Sequence, residues 1–239
     1  MIKEANRISL NFPELSILSR LHRNAEEWMD RATIAIRSKI SLNELQELLE
    51  KGEKMPVDLS DLLEKLRSRA ALAIDWINRL QIEVPGPDCS NRKERYDVQA
   101  EHRSEWFLRM RETFKNGSDD QIRSLMELAS NGMRIPVEME CLHLLQSAVE
   151  FRNWSLKAKR WVPLSSGEPS RRGKIEDIND HLRIANIIRN KVQTDSSQNQ
   201  REHWKLDFED DLKLIVQRAN EWNEKVHFCK LFKLFIFIF

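Results

Sequence analysis

Apolar residues recur at spacings of three and four along most of the chain, the period of one helix face. Leu15, Leu18, Leu21, Ala25, Trp28, Ala32 and Ile36 make the first stripe, opened by Pro13, which suits the first turn of a helix. This predicts a helix from Pro13 to about Lys39. Ser41 to Trp76 then predicts two amphipathic helices joined by a short turn. Ser41 and Glu44 have the spacing of a capping box, and Ile40 and Leu45 stand where a hydrophobic staple would. Gly52 is placed as the left-handed residue just past the first helix, and Pro56 follows the turn. Asp58 is positioned to cap the second helix. Leu59, Leu62, Leu63, Leu66, Ala70, Ala73, Ile74 and Ile77 give that helix its stripe.

The same arrangement returns further on. Ser118 to Gln121 repeats the capping-box spacing, Gly132 repeats Gly52, and Pro136 repeats Pro56. Lys54-Met55-Pro56-Val57 aligns with Arg134-Ile135-Pro136-Val137. A helix, Gly–Pro turn, helix unit used twice points to a helical-repeat array. Between the copies, Glu83 to Arg95 holds two prolines and a glycine in four residues and predicts a loop. Tyr96, Ala100, Phe107, Met110 and Phe114 predict a helix closed by Asn116-Gly117. The second copy runs to about Trp161, and Pro163 to Gly173 is a polar linker. Ile175, Ile178, Leu182, Ala185 and Ile188 predict a shorter helix, and Thr194 to Gln200 a loop with a further capping-box spacing at Ser197. Trp204, Phe208, Leu212, Ile215, Ala219, Trp222 and Val226 form the last stripe.

The expected fold is therefore all-α, an extended array of about eight long antiparallel helices of helical-repeat or spectrin-like type. Its expected divisions are a first bundle over 1–82, a linker over 83–95, a second bundle over 96–162 and a linker over 163–173. A third helical segment over 174–229 and an apolar tail over 230–239 complete it. From Phe228 the chain reads FCKLFKLFIFIF. That is short of the roughly 20 residues a bilayer crossing needs, and its composition is that of an aggregation-prone β segment. The tail is expected to lie outside the fold, as a truncated or misread gene end, with a surface anchor as the rival reading.

Composition narrows the function classes. Charged residues make up 32% of 239, with only six glycines and one tyrosine, which disfavours a β-rich fold. The formal net charge is +1, so no footprint for tight non-specific nucleic-acid binding is present, and no direct nucleic-acid binding is expected. Cys89, Cys141 and Cys229 are few and far apart, which suits a reducing compartment without disulfides. The first residues, MIKEANRISLNF, lack the apolar run of a signal peptide. Seven tryptophans are expected to sit mainly between neighbouring helices, with exposed partner contacts as the other reading.

Candidate chemistry is sparse. There is no G-x-G-x-x-G, no G-x-x-x-x-G-K-[ST] and no G-x-S-x-G. The residues two after each histidine are Asn24, Ser104, Leu145, Arg183, Lys205 and Cys229, so the H-x-[DE] start of an iron facial triad is missing. Cys141-x-His143 is a close Cys/His pair. Glu140-x-x-His143 and Glu224-x-x-His227 have the spacing used by di-iron bundles, but in a Glu-rich chain they also fit solvated surface pairs. No catalytic, cofactor-binding or metal residue is assigned, and no cofactor or small-molecule substrate is expected.

The two stretches LNELQELLEKGEKMPVDLSDLLEKLRSRAALAIDWI and IRSLMELASNGMRIPVEMECLHLLQSAVEFRNW resemble the PLU-like helical domain of lysine-specific histone demethylases. These are JmjC enzymes that also carry ARID and PHD modules, and the likeness is to plant forms. It covers about residues 12–229. The resemblance implies a nuclear, chromatin-associated helical scaffold with protein partners. The enzymes it comes from depend on Fe(II) and 2-oxoglutarate, but the JmjC triad, the PHD cysteines and the ARID segment have no counterpart here. The pair Ile175 to Val226 also lacks the Gly–Pro turn. The chain is thus expected to be a non-catalytic fragment or stand-alone copy. A coiled-coil or spectrin-like adaptor and a di-iron enzyme remain the alternatives.

Overall fold

The computed structural model describes residues 13–84, 100–162, 173–192 and 206–238, with side chains for 14–84, 105–162, 173–190 and 206–226. The expectations for Cys89, Tyr96, Trp204, Ser197 to Gln200, most of the loop over 83–95 and most of the linker over 163–173 lie outside the described residues, as do the side chains of His227 and Cys229.

The fold is all-α. Eight helices are described: α1 (Pro13–Arg37), α2 (Leu42–Glu53), α3 (Ser60–Glu83), α4 (Ala100–Asn116), α5 (Asp119–Gly132), α6 (Glu140–Ala158), α7 (Ile175–Val192) and α8 (Glu209–Ile238). Two short extended pieces, β1 (Ile40–Ser41) and β2 (Val137–Glu138), pair in parallel, Ile40 with Val137 and Ser41 with Glu138. The Ser41–Glu44 capping box is formed in both directions. Asp58 sits one residue upstream of the α3 N-cap, Leu59, and its carboxylate accepts from Ser60 N–H at 3.2 Å.

Two compact units divide the chain, Met1–Trp106 with Asp119–His143, and Phe107–Ser118 with Leu144–Phe239. In the first unit α3 is central. It lies against α1, α2, α5 and β2, burying Leu63, Leu66, Ala73, Trp76 and Leu80. Arg69 leaves α3 to donate to the backbone carbonyls of Ile36, Ser38 and Pro136, gathering the end of α1 and the segment before β2. In the second unit α7 pairs with α8. Phe107 and Phe151 meet edge-to-face at 5.1 Å, beside buried Met110 and Leu145.

One joint recurs within these units. Trp28 Nε1 donates to the Leu48 carbonyl at 2.9 Å, and Trp76 Nε1 to the Leu128 carbonyl at 3.0 Å. Trp154 Nε1 donates to the His181 carbonyl at 2.7 Å. The residue four positions after each acceptor is small: Gly52, Gly132 and Ala185. A Cβ at Gly52 would stand 2.3 Å from Trp28 Cζ2, and one at Gly132 2.4 Å from Leu142 and 3.1 Å from the Trp76 ring. Both glycines lie within their helices, and neither has the left-handed backbone expected from the Gly–Pro spacing. They are needed because an indole packs on the backbone there, not because of φ.

The apolar tail also differs from its composition. The backbone of α8 continues as helix to Ile238, because β propensity depends on packing context and an established helix propagates easily. Among the described residues no helix is long and apolar enough to cross a membrane.

Candidate functional site

Of the residues singled out by spacing, Cys141 and His143 are separated by the helix that carries them. On α6, Cys141 is buried and His143 is exposed, since two residues apart on a helix place side chains on opposite faces. Burial pushes the Cys141 thiol up to about 12, which keeps it protonated and unsuited to ligating a metal or attacking a substrate. Glu224 is exposed on α8, and its spaced partner His227 lies outside the described side chains. Among the described residues, no three His, Cys, Asp or Glu side chains gather as a metal would require.

Among the described side chains His181 is the buried histidine, and its place in the third joint accounts for it. Its ring stacks on Trp154 at 4.5 Å and 4°, and Trp161 meets it edge-on at 5.1 Å. Nε2 lies 3.0 Å from the Trp154 carbonyl. A carbonyl only accepts, so Nε2 carries the proton there. Burial lowers the His181 pKa, Lys157 lowers it further, and the carbonyl opposes them. The ring is neutral and locked between two helices.

Among the described residues, a cavity of about 520 Å³ in the second unit gathers basic, acidic and aromatic side chains. α4 contributes Arg111, Phe114 and Lys115, α6 contributes Phe151 and Arg152, and the turn after α6 contributes Lys159. A spacing of four along α6 puts Phe151 and Ser155 on one helix face. The turn before α8 supplies Asp207 and Phe208. Arg111 lies 4.9 Å over the Phe151 ring and 3.5 Å from Asp207. Burial lowers its pKa, and the carboxylates of Asp207 and Glu112 pull the other way. Arg152 stands 5.9 Å over the Phe114 ring. Phe208 has φ 68°, a left-handed conformation costing about 1–2 kcal/mol for a residue with a Cβ. It is held by the helix that follows, where Leu212 N–H donates to the Phe208 carbonyl at 3.0 Å.

Cations over aromatic faces suit an acidic or aromatic group of a protein partner. This groove escapes sequence reading. Arg111 and Lys115 show the four-residue spacing of one face, but nothing in the pattern says that α4 and α6 turn those faces to a common space. The Cys141–His143 pair that spacing does offer is one the helix separates.

No protein-family model, curated protein or solved structure matches the chain.

Proposed function

We propose that this chain is a non-catalytic helical scaffold that holds protein partners, in the manner of the helical domain of chromatin lysine demethylases that it resembles. The observation that carries the scaffold reading is the tryptophan joint, built three times with an indole donor and a backbone-carbonyl acceptor, and twice with a glycine notch against the ring. Helices tied by repeated local joints offer long faces for partners, which is the usual use of helical-repeat proteins. The basic, aromatic groove adds a place where an acidic partner segment would sit. The nuclear and chromatin setting comes from the resemblance of residues 42–77 and 122–154.

The test is affinity recovery of partners from nuclear extract with the full chain as bait, beside an assay with methyl-lysine histone peptide, iron and 2-oxoglutarate. Chromatin proteins on the bait, with the peptide left methylated, is the expected result. Demethylation would overturn the non-catalytic part. Recovery of cytoskeletal filaments instead would favour the adaptor reading.

A further inference from the structure

The tryptophan joint is formed three times among the described residues, and a fourth tryptophan at the same spacing stands outside it. Each of four long helices carries a leucine ten residues before its tryptophan: Leu18 and Trp28 in α1, Leu66 and Trp76 in α3, Leu144 and Trp154 in α6, Leu212 and Trp222 in α8. The first three tryptophans are 3%, 3% and 2% exposed, and they donate to carbonyls of α2, α5 and α7 respectively. Trp222 is 65% exposed. It shares its face of α8 with Leu214, itself 43% exposed, and with the exposed charges of Arg218, Glu221 and Lys225. An aromatic with an aliphatic neighbour and a charged rim has the make-up of an interface centre.

The three occupied joints say what belongs there. Each receiver is an amphipathic helix presenting a backbone carbonyl, with Gly or Ala four residues later; at Gly52 and Gly132 the indole lies against the glycine, and on α7 it stacks on the His181 ring. We infer that the Trp222 face of α8 docks a helix of a partner protein carrying such a carbonyl-and-small-residue step, with Trp222 donating Nε1–H to that carbonyl. This inference deepens the scaffold reading and rests on it, but it does not depend on the chromatin setting.

The probe is the protein's own first receiver, a labelled peptide of residues 40–54. It is held helical by a lactam joining Glu47 and Lys51, whose charged ends lie 3.5 Å apart. Fluorescence anisotropy follows its binding to the full chain. Trp222 is exposed, so Trp222→Ala should leave the thermal melt unchanged while weakening peptide binding by about tenfold or more. The same peptide with Gly52→Leu, which fills the notch, should bind wild type comparably poorly. Equal binding to wild type and Trp222→Ala, equal binding of the notch-filled peptide, or no binding to wild type would each overturn the inference. A concentration-dependent dimer of the wild-type chain that Trp222→Ala abolishes would give the face to a second copy and overturn it too. Partner recovery separates the two readings. If the docking test fails while the bait still recovers partners, the docking face falls and the scaffold stands; a bait that recovers none fails the scaffold reading itself.

Discussion

Gly52 decides between two opposing effects at a single residue. Inside a helix, glycine costs about 1 kcal/mol relative to alanine, which alone would make Gly52→Ala stabilising. The added Cβ, however, would stand 2.3 Å from Trp28 Cζ2 and 2.9 Å from Leu63 Cδ2. The Trp28 ring is pinned by its bond to the Leu48 carbonyl and cannot swing away without losing it. Overpacking costs about 1–3 kcal/mol, so the clash wins and Gly52→Ala should lower stability in urea melts. With Trp28→Leu already made, the same substitution should become neutral or stabilising, a coupling that a double-mutant cycle reads directly. A Gly52→Ala chain more stable than wild type would refute this account. The glycine is visible in the sequence as a special position, but its reason is not. Its partner Trp28 lies far upstream, and Gly–x–x–x–Pro looks the same whether the glycine serves a left-handed turn or an indole.

At the scale of elements, periodicity shows the helices and misses what ties their ends. The apolar stripes locate all eight described helices, with an end displaced by two residues between Asp58 and the observed start of α3 at Ser60, and by twelve at α8, whose helix runs past Val226 to Ile238. The β1–β2 pairing is invisible in the pattern, because two residues a side have no period to detect. Such a short ladder is marginal alone, and Arg69 supplies the anchoring. Its guanidinium donates to the carbonyls of Ile36, Ser38 and Pro136, meeting the orphan acceptors that a helix end leaves. Arg69→Met keeps the apolar stem and removes the donors. It should cost about 2–3 kcal/mol, the scale of hydrogen bonds to a charged group, and speed amide exchange at Ile40–Ser41 and Val137–Glu138. Arg69→Lys should restore only part of this, since an ammonium lacks the planar fork that reaches several carbonyls together. A change under about 0.5 kcal/mol for Arg69→Met, the usual range of surface substitutions, would show that the clip does not hold these segments.

Across the whole molecule, protonation separates the two units. In the second unit, His181 resists a proton mainly because it is buried, and Lys157 adds to the resistance. An unfolded histidine takes up that proton near pH 6.5. The unfolded chain therefore binds more protons as pH falls, and this unit should lose stability below about pH 6.5, levelling off beneath the folded pKa. Glu209 acts lower in the range. Burial would raise its carboxyl pKa, but hydrogen bonds from Lys213 and Arg189 outweigh that and depress it. Its contribution holds above the ordinary carboxylate range and disappears as pH falls through the depressed value. The first unit holds Cys141, whose thiol ionises near 9.0 unfolded and is pushed up to about 12 when folded. There the folded state keeps the proton that the unfolded state releases, so stability falls as pH rises above about 9. Pulse proteolysis with mass-spectrometric mapping should therefore find the first new cuts in α7 and α8 on going from pH 7 to 5.5. On going from pH 8 to 10 they should appear in α2 and α3. Cys141→Ala should remove most of the alkaline loss and leave the acid loss in place. First cuts in α2 and α3 at pH 5.5 would contradict the assignment of the acid loss to His181.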